Sequence, residues 1–142
     1  MAILQQYSRE LQETLPSLPK DIQRYVEQCG LHDAAFVELN FSVSEQSLSM
    51  EFIGDSMSDD VRSLARRFWF TYRGVKSFGF SKSRNVHGYP IPTTLEYVDH
   101  DRITRLSPEE IEHRIIFHDG AEFCVRFSDF ALKYEDFEYI HG

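Results

Sequence analysis

The chain has 142 residues, the size of one ordinary domain, and its 12 phenylalanines and 7 tyrosines allow a substantial core and exclude a disordered chain. A formal net charge of −8 opposes direct binding to nucleic-acid phosphates and suits a basic partner. The two cysteines, Cys29 and Cys124, fit no metal spacing, the start carries no basic n-region, and no stretch reaches the ~20 apolar residues of a membrane span, so the expectation is a cytoplasmic protein with reduced thiols and no membrane partner.

Ile3, Leu4, Tyr7, Leu11 and Leu15 fall near one helical face, and Pro16 ends that helix. Ser17 or Leu18 caps a second helix with Pro19 in its first turn, where Ile22, Tyr25, Val26 and Cys29 form the apolar stripe and Gly30 the stop. The pair predicts a helical hairpin over residues 1–30.

The period then changes from 3.6 to 2. Ala35, Val37, Leu39, Phe41 and Val43 alternate with Phe36, Glu38, Asn40 and Ser42, and Leu48, Met50 and Phe52 alternate with Ser49 and Glu51 after a turn at 44–47. The link Gly54 to Asp60 is polar. Arg66 to Arg73 predicts a strand with Phe68, Phe70 and Tyr72 on one face and Arg67, Trp69, Thr71 and Arg73 on the other. Gly74 bends the chain, and Val75 to Phe80 resumes it. Residues 81–92 read as an exposed loop. Thr94 to Val98 is extended, Asp99-His100-Asp101 reads as a turn, and Arg102 to Leu106 as a short strand. Ser107-Pro108-Glu109-Glu110 reads as the start of one helical turn.

Glu110 to Tyr134 is the stretch that fixes the register. Asp119-Gly120 signals a hairpin, because glycine takes positive φ without a Cβ clash. A two-residue loop would pair Phe117 with Glu122 and mix apolar and charged groups on each face. A three-residue loop, His118-Asp119-Gly120, pairs Ile115 with Phe123, His113 with Val125 and Glu112 with Arg126, and sorts the faces cleanly. Past a bend at Ser128-Asp129, Phe130, Leu132 and Tyr134 keep period 2, and 135–142 read as a frayed acidic tail. The sum is one α+β domain: helices over 1–30, then a mostly antiparallel sheet of about seven strands over 31–134.

Leu31-His32-Asp33-Ala34 at the first strand, the hairpin His113 to Glu122, and Phe127-Ser128-Asp129-Phe130 resemble a group of small uncharacterised bacterial proteins. These share a Leu-His-Asp-Ala-like strand start and a His-x-Ile-x-Phe-x-Asp-Gly-x-Glu hairpin. The resemblance covers residues 31–134. It implies a fold and a bacterial origin and supplies no catalytic residue.

Three of the six histidines precede aspartate: His32-Asp33, His100-Asp101 and His118-Asp119. Such pairs ligate metals in phosphohydrolases, but there they sit on helices, and here all fall at strand starts or turns, so no metal and no cofactor is expected. His113 falls on the apolar face and needs a hydrogen-bond partner, for which His32 or Asp33 is a candidate. Burial also makes it a candidate acid or base. Asp55, Asp59 and Asp60 lack the glycine and bidentate glutamate of a calcium loop. Arg62, Arg66, Arg67 and Arg73 with Trp69 and Tyr72 are expected to pair with acidic neighbours rather than with nucleobases. No phosphate loop, nucleophile elbow or dinucleotide fingerprint is present.

The leading expectation is a non-catalytic bacterial binding protein, an inhibitor or immunity partner of a basic toxin or enzyme. Asp55, Asp59, Asp60, Glu135, Asp136 and Glu138 are its contact candidates. The alternative is an enzyme or ligand-binding domain with a pocket at His32, Asp33 and His113. A third possibility is a subunit that oligomerises through its N-terminal helices.

Overall fold

The computed structural model describes residues 9, 11–28, 30–55, 64–81, 97–118 and 120–138, with the backbone alone at 28, 55, 64 and 138. The protein is α+β. Its strands are β1 (Ala35–Ser42), β2 (Ser47–Asp55), β3 (Leu64–Arg73), β4 (Ser77–Ser81), β5 (Val98–Ser107), β6 (Glu110–Phe117), β7 (Glu122–Phe127) and β8 (Asp129–Glu138). All pairings are antiparallel, but they build two four-stranded sheets where a single sheet was expected. Their orders are β1-β2-β3-β8 and β4-β7-β6-β5.

The split arises at one corner. Gly74 takes φ +63°, the left-handed region that suits glycine, and turns β3 out of the first sheet into β4 of the second. Ser128 turns β7 into β8 beside it, its amide donating to the Arg73 carbonyl at 3.0 Å. A diagonal corner is stitched by Asp33 N–H to Val98 O (2.8 Å) and Val98 N–H to Ala34 O (2.9 Å). The two inner faces meet in one core, with Phe52, Phe68, Phe70, Tyr72, Phe117, Phe123 and Phe127 all buried.

The final hairpin has the expected register: Ile111 opposite Phe127, Glu112 opposite Arg126, His113 opposite Val125 and Ile115 opposite Phe123. Gly120 has φ +89° and donates its N–H to the Phe117 carbonyl. Phe68, Phe70 and Tyr72 also face inward as expected.

Other expectations fail locally. The turn at 99–101 is instead strand, because a bulge between Val98 and His100 absorbs the irregularity within β5. Residues 108–109 form a tight link between β5 and β6, not the start of a helix. Residues 135–138, expected to be frayed, pair with 64–67 as the end of β8. A bulge between Phe36 and Glu38 breaks the parity of β1, so Phe36 and Leu39 pack on the core while Val37 is exposed.

Most of the first expected helix lies outside the described residues; 11–14 are helical and run into a 3-10 turn, Leu15–Ser17. The second forms helix α1 (Lys20–Gln28). It buries Ile22 and Tyr25 and seals the free edge of β8. Leu132 N–H donates to Asp21 at 2.8 Å, and Arg24 donates to the Leu132 carbonyl. These bonds satisfy backbone groups that a strand would otherwise supply. No described helix is long and apolar enough to cross a membrane.

Candidate functional site: a sealed relay and an exposed histidine corner

Among the described residues, the imidazoles gather in two places, each with carboxylates beside them. The first is inside. β6 projects His113 into the core, where it is only 1% exposed. Its Nδ1 lies 2.7 Å from the Tyr72 hydroxyl of β3, and its Nε2 lies 2.7 Å from Asp101 Oδ2 of β5. The Tyr25 hydroxyl of α1 donates to the same carboxylate oxygen at 2.6 Å. One proton arrangement uses every bond: Tyr25 and His113 Nε2–H donate to Asp101, and Tyr72 donates to Nδ1. Both sheets and the helix are thereby joined by one chain of bonds, buried at Tyr72 and His113 and half-buried at Asp101.

Its order, carboxylate–imidazole–hydroxyl, is that of a proton relay. However, the hydroxyl belongs to fully buried Tyr72, edge-on to Phe70 and Phe127. Burial, with Asp101 adding its charge, pushes that phenol well above the usual tyrosine value. A nucleophile that is sealed and held protonated reaches no substrate. The arrangement satisfies buried polar groups that would otherwise carry a desolvation cost.

The second place is the corner between β1, β5 and the β6–β7 turn. His118 Nε2 lies 2.9 Å from Asp33 Oδ1, and His118 Nδ1 lies 3.6 Å from Asp99 Oδ1. His32 Nδ1 is 2.7 Å from the Asp99 carbonyl, and its Nε2 is 3.4 Å from Asp33 Oδ2. His100 Nδ1 meets Asp99 Oδ2 at 2.8 Å. All five side chains are exposed. Asp33 takes φ +62°, which aspartate tolerates better than most residues. The bond to the Asp99 carbonyl, then the Asp33 carboxylate, raises the His32 pKa above its ordinary value. The His100 hydrogen bond is the main cause that holds Asp99 below the ordinary carboxylate value. Among the described residues, no three histidine, cysteine, aspartate or glutamate side chains are arranged to hold one metal ion.

His32 and Asp33 therefore come together, but His113 does not join them. Its partners are Tyr72 and Asp101, not the expected His32 or Asp33. Asp99, His100 and His118 complete the exposed group, and each arrives by long-range pairing that no local pattern announces. Asp101 was within reach of sequence reasoning, since counting by twos back from Ile103 turns it inward.

The acidic contact candidates are also divided. Glu135 is exposed and paired in register with Arg67. Asp136 is committed to buried Arg66, at 2.9 Å from Nη2. Asp55 and Glu138 are placed by backbone at the ends of β2 and β8, while Asp59 and Asp60 lie outside the described residues. The arginines find carboxylates across strands: Arg67 with Glu51 at 3.7 Å and Arg73 with Asp129 at 3.8 Å. Arg62 and Cys29 lie outside the described residues, and Cys124 is a half-buried free thiol whose pKa is pushed up by burial and by Glu112. On the same outer face, burial pushes Glu112 up, but bonds from Arg114 and Arg126 outweigh it and hold the carboxyl below its ordinary value.

No family model, curated protein or solved structure matches the chain.

Proposed function

We propose that this protein is a non-catalytic binding protein for a basic protein partner. The observation that carries the reading is the placement of His113. Among the described residues, the imidazole with a relay-like set of neighbours is sealed, so the chemistry reads as a structural brace. The net charge of −8 supports a basic partner, because opposite charge speeds encounter and fixes orientation. The narrower form of the reading is an inhibitor or immunity partner that covers the active site of a basic toxin or enzyme. Glu135 is the exposed contact candidate, with Asp55, Asp59, Asp60 and Glu138 beside it in the proposal, and Asp136 serves Arg66. A pull-down of the host's neighbouring gene products tests this. A basic protein should bind, release as salt rises, and bind more weakly to Glu135→Lys. Failure of every candidate to bind, or binding indifferent to salt, contradicts the reading.

The exposed corner favours a second reading, small-ligand binding at His32 and Asp33 with His118 and Asp99 in place of His113. Three imidazoles and two carboxylates there could meet a polar ligand with both donors and acceptors. Screening polar metabolites by NMR would support it through shifts confined to these residues. No such shifts would remove it.

A further inference from the structure

A sheet edge with free backbone groups invites another strand, and proteins usually protect such edges. Three of the four edges here are protected. Among the described residues, β8 is sealed by Asp21 and Arg24 of α1. β5 is tied to β1 at Tyr97 and Ala35 and carries Arg102 and Arg105. β1 carries Glu38 and a bulge. The fourth edge, β4, has none of these devices among the described residues. Its sequence is Ser77-Phe78-Gly79-Phe80-Ser81, without charge, proline or bulge, and every residue is exposed.

That sequence reads the same in both directions. A two-fold antiparallel pair matches residue i with residue j of its partner and j with i, so a strip that reads alike both ways sets like residues side by side about its centre. We propose that β4 pairs with β4 of a second copy of this chain, centred on Gly79, to make an eight-stranded sheet across a homodimer. This inference goes beyond the binding function above and stands apart from it.

In that register Gly79 meets Gly79 of the partner, Phe78 lies beside the partner's Phe80, and Ser77 beside the partner's Ser81. Phe78 and Phe80 share the core-facing side, opposite Val125 and Phe123 on β7. They are 39% and 46% exposed. Phe41 of β1, 40% exposed, lies 4.7 Å from Phe78 between ring centroids. The dyad would bring four strand phenylalanines and both copies of Phe41 to one apolar seam. On the outer face, Ser81 is paired with Glu122 and Ser77 with Arg126. The two-fold axis therefore puts Glu122 of one copy in line with Arg126 of the other, a charge-complementary row in a chain that otherwise repels its own kind. The paired strip is the five residues of β4, Ser77–Ser81.

Five paired residues with a small apolar seam fall at the low end of specific interfaces, which predicts a dimer with a Kd of order ~10 μM. Sedimentation velocity on the full chain from about 1 to 300 μM tests this range. The expected result is a concentration-dependent shift from 16.7 kDa to twice that mass. A chain that stays monomeric throughout overturns the proposal.

Gly79→Asp separates this surface from any other. A Cβ at Gly79 meets nothing within 4 Å, so the variant should fold as the wild type does. It would set two carboxylates against each other at the dyad and weaken dimerisation by at least about tenfold. A dimer undiminished in Gly79→Asp also overturns the proposal. Gly79→Cys gives an independent positive reading. It is made with Cys29→Ser and Cys124→Ser, because Cys124 lies opposite Gly79 within the same copy. Paired dyad positions fall within disulfide reach, so mild oxidation should trap a covalent dimer. Failure to trap one while the wild type dimerises would place the contact elsewhere and overturn the register.

Discussion

The sealed relay and the exposed corner use the same residue types, histidine beside aspartate, to opposite effect. In the core, His113, Tyr25 and Tyr72 are buried, and each has a fixed partner in a chain that ends on half-buried Asp101. At the corner, His32, Asp33, Asp99, His100 and His118 touch one another in the open. His100 and Asp101 are adjacent in sequence, yet one joins each group. Strand parity decides it, since successive side chains leave opposite faces of β5. A histidine–aspartate pair is thus evidence of chemistry only once its face and burial are known.

The largest expected difference between the regions comes from His113→Ala. It would leave the Tyr72 hydroxyl and the Asp101 carboxylate without their imidazole and open a cavity among Phe70, Tyr25 and Tyr72. A loss of about 3 to 4 kcal/mol is expected in urea unfolding. A loss below about 1 kcal/mol would show the relay to be no brace.

Tyr25→Phe sharpens the point. The ring keeps its edge-on packing at 5.2 Å from Phe70, and only the hydroxyl that donates to Asp101 is lost. About 1.5 kcal/mol is expected in the same experiment, since the acceptor is a carboxylate.

At the corner, His118→Ala should change stability by no more than about 0.5 kcal/mol, because exposed pairs are screened by water and salt. A larger loss would mean that the corner holds the fold rather than decorating it.

The smallest effect is one of pH. The His32 pKa is raised above 6.5, so the native state binds its proton more tightly than the unfolded chain does. Its contribution is complete below about pH 6.5 and is lost as pH rises through the folded value. Asp99 is lowered from 3.8, so its contribution is present above that value and is lost as pH falls through the folded one. The corner is therefore tightest in mildly acidic solution. An NMR titration should place the His32 midpoint above 6.5, and Asp33→Asn should move it down. A wild-type midpoint at or below 6.5 contradicts the geometry.

Side-chain alternation makes much of the fold legible in the sequence. It was enough for the 110–127 hairpin, because a one-residue slip would have exposed Phe117 and Phe123 and buried Glu122. It also set the inward face of β3. It failed where a strand bulges, at Phe36–Glu38 and Val98–His100, since an extra residue reverses the parity that the pattern assumes. The division into two sheets was beyond it. Gly74 and Ser128 were readable as bends, but their side-by-side placement depends on pairing between residues 55 apart in sequence. The sites follow the same rule. Local pattern places His113 on an apolar face, but it reads Asp101 as part of a turn and so hides that partner. The clustering of His32 with His118 comes only from the meeting of strands distant in sequence.

The most direct test of the account is diethyl pyrocarbonate labelling of the folded protein, with each histidine followed by mass spectrometry. His32, His100 and His118 should react quickly, while His113 stays unlabelled until the protein unfolds. Labelling of His113 at the rate of the corner histidines, with the fold intact, would mean that the imidazole is open to solvent. A catalytic role would then replace the structural one.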